Sequence, residues 1–83
     1  MNTIKLKFAV EIDGVKITEL SMRRSKVRDR LAVGAMTGTD GEKEIRLFAN
    51  LCDVAPAVIH ELDESDYIEL QKVYMNFLES AAT

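Results

Sequence analysis

The stretch TIKLKFAVEIDGVKITELSM, residues 3–22, sets the architecture of the chain. Apolar side chains fall at Ile4, Leu6, Phe8, Val10 and Ile12, with Lys5, Lys7, Ala9 and Glu11 between them, which is the period of a half-buried strand. Asp13-Gly14 follows, a pair that accepts the positive φ angles of a two-residue hairpin turn, and a return strand begins at Val15. Its phase then breaks, because Val15 and Ile17 share one parity while Leu20 and Met22 share the other. A two-residue turn sets Ile12 against Val15 and Val10 against Ile17 but leaves Phe8 facing Glu19. One extra residue at Thr18-Glu19 sets Phe8 against Leu20 and Leu6 against Met22, so a β-bulge is predicted there.

A two-stranded hairpin is marginal alone, so its apolar face needs covering by helices or by another copy's sheet. Ser25 is placed to cap a first helix from Lys26 to about Ala35 that buries Val27, Leu31 and Met36 and turns Arg24, Arg28 and Asp29 outward. The loop TGTDGE, residues 37–42, ends in Thr39 or Asp40 as cap of a second helix reaching about Asp53, with Glu42 and Glu44 in its first turn. Ile45, Phe48, Ala49 and Cys52 form its inner stripe, widened by Leu47 and Leu51. Pro56 opens a one-turn helix, and Asp63 caps the last, from Glu64 to about Ser80. On that helix Tyr67, Leu70, Val73, Tyr74, Phe77 and Leu78 share one side, with Glu69, Lys72, Asn76 and Glu79 outside. Ile68 and Met75 fall off the stripe with Gln71 between them. Two readings stay open for them: packing under the preceding loop, or a narrow exposed strip that binds a partner.

The expected fold is therefore α+β, an N-terminal β-hairpin over residues 1–23 followed by three to four α-helices over 25–83, packed on one face in a single domain. A chain of 83 residues buries only about 60–65% of its unfolded surface, so a partner or self-association would help it. The net charge of −3 conceals an asymmetry: residues 1–30 carry eight Lys/Arg against four Asp/Glu, and residues 31–83 carry three against ten. Either half can meet a charged partner. The single Cys52 rules out an internal disulfide and a multi-cysteine zinc site, which points to a reducing cytoplasm. The alternating N-terminal segment is read as neither a signal peptide nor a membrane span.

Little in the sequence carries catalytic chemistry. His60 is the only histidine and has no cysteine at metal-ligand spacing; Cys52 lies on an apolar stripe; Asp63, Glu64 and Asp66 sit at a helix start, where carboxylates cap free amides. The glycines at 34, 38 and 41 lack the Lys-Ser/Thr of a phosphate-binding loop. No cofactor or metal is expected. The basic run Arg23, Arg24, Lys26, Arg28 and Arg30 has no interleaved aromatic and straddles a strand end and a helix, in an acidic chain. A solvated or internally paired face fits it best, a protein-binding edge next and a nucleic-acid grip least.

The segments DGVKITELSMRRSKVRDRL (13–31) and EIRLFANLCDVAPAVIHELDESDYIELQKVYMNFL (44–78) together resemble the small tail assembly chaperones of long-tailed bacteriophages and prophages, particularly the Mu-like group. Asp13, Gly14, Ile17, Thr18, Glu19, Leu20, Arg23 and Asp29 match the family's first block; Leu62, Asp63, Asp66, Tyr67, Phe77 and Leu78 match the second. The likeness runs from about residue 4 to 79, with Ser25 standing where a proline is common.

The resemblance implies a non-catalytic protein in the cytoplasm of the bacterial host. It would bind the tape measure protein before tail tube protein polymerises around it, and would be absent from the mature virion. A homo-oligomer and a longer frameshifted form of the same protein are further implied partners. Two contact surfaces are expected: the hairpin exit at Glu19, Arg23 and Arg24, and the strip Ile68, Gln71 and Met75. Glu19 and Arg23 have an internal salt bridge as their alternative. A small nucleic-acid-binding regulator and a structural tail component are the competing functions.

Overall fold

The computed structural model describes residues 2–80. Strands β1 (Asn2–Ile12) and β2 (Val15–Met22) pair antiparallel. Asp13 and Gly14 join them with φ of 51° and 78°, the pair of left-handed residues that matches strand twist in a tight hairpin. Ile12 faces Val15 and Val10 faces Ile17, as the turn requires.

Beyond these pairs the register shifts, but on the strand opposite to the expected one. Lys5 faces Glu19, Ile4 faces Leu20 and Asn2 faces Met22, so residues 6–9 of β1 stand against Thr18 alone. The surplus lies in β1, the longer strand, with 11 residues against 8. Leu20 therefore pairs with Ile4 instead of Phe8, Met22 pairs with Asn2 instead of Leu6, and Phe8 is 58% exposed.

Two amides of this irregular segment have a specific acceptor. Lys7 N–H donates to Asp66 Oδ1 at 3.0 Å and Phe8 N–H to Asp66 Oδ2 at 3.1 Å. Asp66 is buried in the first turn of the last helix. A bulge frees ladder amides, and this carboxylate takes two of them. Asp63, by contrast, behaves as a helix-start residue, accepting from Ser65 N–H and Oγ–H.

Four helices follow: α1 (Val27–Gly34), α2 (Asp40–Cys52), α3 (Pro56–His60) and α4 (Glu64–Ser80). The α+β expectation is met. Helix α2 begins with a reciprocal cap: Glu42 N–H donates to Thr39 Oγ1, and Thr39 N–H donates to Glu42 Oε1. It ends at Asp53, whose φ of 55° turns the chain away. Its broad apolar face, with Leu47, Phe48, Ala49, Leu51 and Cys52 buried, lies at the centre of the core. Phe48 is fully buried, with its ring centroid 5.6 Å from that of Tyr67 and 5.5 Å from that of Tyr74. Ile4, Leu20 and Met22 of the hairpin and Leu70 of α4 complete the packing. An Arg23 N–H to Leu51 C=O bond of 3.1 Å ties the end of β2 to α2.

Helix α1 is rolled about its axis relative to expectation. Asp29 is buried with Val33, whereas Val27 and Leu31 are 76% and 68% exposed. The carboxylate turns inward because its partners are there. Arg23 donates from Nη1 to Asp29 Oδ2 at 2.9 Å and from Nη2 to Oδ1 at 2.8 Å, and Lys26 N–H adds a third bond at 2.8 Å. Lys26, not Ser25, is the residue that precedes the helix. Met36 is half-buried against the core, as expected.

Candidate functional site

A reactive centre is missing from the places where sequence types first suggest one. Cys52 is buried in the face of α2, and desolvation pushes its thiol up to about 11, so at neutral pH it is a protonated hydrophobe. Its alkylation in the native protein should be slower than that of a free thiol by roughly 100-fold or more and should reach the free rate in denaturant; equal native and denatured rates would contradict the burial. His60 ends the short helix α3 on the surface. Among the described residues no group of three or more His, Cys, Asp or Glu side chains is arranged to hold a metal ion.

The basic run divides. Arg23, at the exit of β2, is drawn into the fold by its forked pair with Asp29, and its Nη1 also donates to Arg24 C=O at 3.2 Å. The pair holds the Asp29 carboxyl well below the usual carboxylate range, first through the Arg23 bonds, then the Lys26 amide, against the opposing cost of burial. Arg23 thus has the internal bridge that was the alternative to a contact role, with Asp29 as partner in place of Glu19. Arg24 lies over the Phe77 ring, 5.4 Å from its centroid. Lys26, Arg28 and Arg30 are exposed on and beside α1, and Glu19 is exposed on β2 across from Lys5.

On α4 the open question about Ile68 and Met75 has an answer. They are 46% and 50% exposed, and Leu78, placed on the core stripe by its spacing, is 42% exposed beside them. Gln71 between them is half-buried, its Nε2 donating to Glu44 Oε1 at 2.8 Å. The Tyr67 hydroxyl donates to the same oxygen, and burial together with that acceptor pushes the phenol far up. Glu44 therefore pins α4 to α2 through two side chains.

Beside this pin α2, α3 and α4 leave an open groove of about 430 Å3, with Ile45, Ile59, Leu62 and Tyr67 as apolar lining and Glu44, Glu64 and His60 among its polar residues. A smaller hollow of about 250 Å3 lies between α1, α2 and α4, reaching from Arg30 and Val33 to Leu47 and Tyr74. Neither groove was legible in the chain, because each is assembled by residues of separate helices. What the surface offers is apolar strips and grooves with charged rims.

Residues 3–79 match the family described as phage tail assembly chaperone proteins, E, or 41 or 14. The chain belongs to that family. No curated protein and no solved structure matches it. In this tail assembly chaperone, Asp13-Gly14 of the family-like first block forms the hairpin turn, the half-buried Arg23 and the buried Asp29 form an ion pair, and Asp66 of the second block is the acceptor at the bulge. Several motif residues that carried the resemblance are thus architectural. The exposed side chains at Val27, Leu31, Ile68, Met75 and Leu78 lie outside that scaffold or at its rim. No helix among the described residues is long and apolar enough to cross a membrane.

Proposed function

We propose that this chaperone acts without catalysis by binding the tape measure protein in the cytoplasm of the host, ahead of tail tube polymerisation, and leaves before the virion is complete. Family membership over residues 3–79 and the exposed strip of Ile68 and Met75 carry the reading. A tape measure is a long helical polypeptide whose apolar face is open until the tube surrounds it. Two half-exposed apolar side chains, each contributing about 1 kcal/mol when covered, give a contact that is weak singly and strong when repeated along a client. Weakness of each contact lets the tube protein displace the chaperone.

The strip Ile68, Gln71 and Met75 is assigned to the apolar contact, and the hairpin exit at Glu19, Arg23 and Arg24 to a polar flank. Arg23 contributes by position, since its guanidinium is already held by Asp29. Co-expression with the tape measure protein of the same phage should make the client soluble and co-purify it on a tag. Ile68→Asp with Met75→Asp should cut the recovered client at least about tenfold with the fold unchanged by circular dichroism. Arg24→Glu with Glu19→Lys should give a smaller loss that grows at low salt. A client that remains insoluble and alone overturns the reading, as does a strip variant that recovers client like the unmodified chain.

A further inference from the structure

The groove between α2, α3 and α4 does not end at the Glu44 pin. Glu44 also lines the hollow of about 250 Å3 between α1, α2 and α4, and Arg30 and Tyr74 of that hollow line a third, of about 160 Å3, which reaches Lys26, Val27 and Leu78. The three therefore form one track. Helix α4 is its continuous wall, and α3, α2 and α1 follow one another along the other side. Apolar side chains line it from end to end: Ile45, Ile59 and Leu62, then Leu47 and Val33, then Val27. Ile68 and Met75, each one position beyond a tyrosine of the track, form its outer lip, and Gln71 belongs to wall and client strip alike.

The α4 wall has a repeat of its own. Glu64, Tyr67, Gln71, Tyr74 and Leu78 line the track in turn, at alternating steps of three and four. That is the 3.5-residue seam along which a second helix packs, side chains into gaps. An extended chain, with its period of two, does not match it. From Glu64 to Leu78 the seam runs about 21 Å, the length of a four-turn helix. Charge gives the track a direction. Glu64 lines the α3 end, where the exposed Glu61 and Asp63 belong to the adjoining turn. Lys26 and Arg30 line the α1 end, and Lys43 joins Arg30 in the middle hollow. Among the described residues none of Glu64, Lys26, Arg30 and Lys43 is in an ion pair, so the fold leaves these charges to a partner.

We infer that the track holds one amphipathic α-helix of the client, about 14 residues long, with its basic end at Glu64 and its acidic end at Arg30. The inference rests on the client reading above and adds to it the form, length and direction of the segment that is held. The apolar stripe of the client helix lies on the floor of the track, and its flank rests on Ile68 and Met75. Opposite charges at the two ends reject the same helix turned end for end, because each end would then meet its own sign.

Photo-crosslinking in the complex recovered by co-expression with the tape measure protein tests it. Glu61 in one variant and Val27 in another, both exposed and at opposite ends of the track, are replaced by photoreactive benzoylphenylalanine, and the linked client peptides are identified by mass spectrometry. Each client segment linked from one end should also be linked from the other, at points about 14 residues apart, with Lys or Arg beside the Glu61 link and Asp or Glu beside the Val27 link. Glu61→Lys with Glu64→Lys, and separately Lys26→Glu with Arg30→Glu, should each cut the recovered client at least about fivefold in about 50 mM salt, and by less in about 500 mM, with circular dichroism unchanged. Links to unrelated client segments, to a second copy of the chaperone alone, in the opposite order of charge, or at points about six residues apart as an extended chain gives, overturn the inference. Charge variants that recover client like the unmodified chain overturn it too. In all these cases the client is still recovered, so the client reading stands. A client that is never recovered overturns that reading and this inference with it.

Discussion

Replacing Asp66 with alanine should lower the free energy of unfolding by about 3 kcal/mol, among the largest losses expected from changing one polar side chain of this protein. Its carboxylate is the acceptor for two amides of β1, at 3.0 and 3.1 Å, in a site with only 1% of the side chain's residue surface exposed. Removing it deprives Lys7 and Phe8 of their partner where β2 supplies none, and leaves a void under the hairpin. Asp66→Asn should cost slightly less, about 2 kcal/mol, because one amide oxygen still accepts while the –NH2 faces a second donor. Chains of this size are stable by only about 4–12 kcal/mol, so the alanine variant should melt at least about 12 °C lower. Urea denaturation gives the energy, and hydrogen exchange gives the location: Lys7 and Phe8 amides should lose protection before the pairs at Val10 and Ile12 do. A variant within about 0.5 kcal/mol of wild type would mean that the bulge is held by something other than this carboxylate.

The role of Asp66 was hidden from local reasoning for a physical reason. Asp63, Glu64 and Asp66 crowd a helix start, where the dipole and free amides reward any acid, and Asp63 does bind Ser65 in that way. The amides that Asp66 serves are 58 and 59 positions away, and no pattern of nearby residues records them. The position of the bulge was obscured by the same partner. Parity breaks visibly in β2, between Ile17 and Leu20, whereas Ile4 to Ile12 alternates without a fault. The surplus nevertheless went to β1, where a buried acceptor satisfies the amides that a bulge releases.

Elements whose cause is local were legible. Asp13-Gly14 turns the hairpin, Thr39, one of the two cap candidates, opens α2, Pro56 opens α3, and the long apolar stripes of α2 and α4 give their extents and most of the core. Helix α1 was read with the wrong face inward because Val27 and Leu31 have the right spacing, and a spacing rule cannot weigh an ion pair with a buried carboxylate against it. Of the candidate site, Ile68 and Met75 are outward, the exposed one of the two readings that their departure from the stripe left open, while Gln71 is engaged by Glu44 and Arg23 by Asp29. Order of motifs along the chain pointed to the family correctly, since family membership depends on the scaffold that those motifs build.

The ion pair provides the second large effect and a pH signature. The two partners are unequally desolvated: the Arg23 side chain is 34% exposed and that of Asp29 8%. Arg23→Gln leaves a buried carboxylate without its cation and should cost about 3 kcal/mol at neutral pH; Asp29→Asn leaves a guanidinium that still reaches water and should cost about 2 kcal/mol. The double variant should cost less than the two singles together, because neither charge is then stranded. Asp29 titrates in the folded chain below its unfolded value of about 3.9, so the folded state binds fewer protons there. Its contribution to stability is accordingly complete above about pH 4 and is lost as pH falls through the lower folded value. Wild type and Asp29→Asn should therefore converge as acid is added, with the variant showing the shallower acid limb. Parallel curves would show that the pair does not set the acid sensitivity, and equal costs for the two single variants would show Arg23 to be as desolvated as Asp29. Either result would remove the reason for α1 to present Val27 and Leu31 outward, because that orientation exists only if keeping Asp29 inside is worth more than exposing two aliphatic side chains.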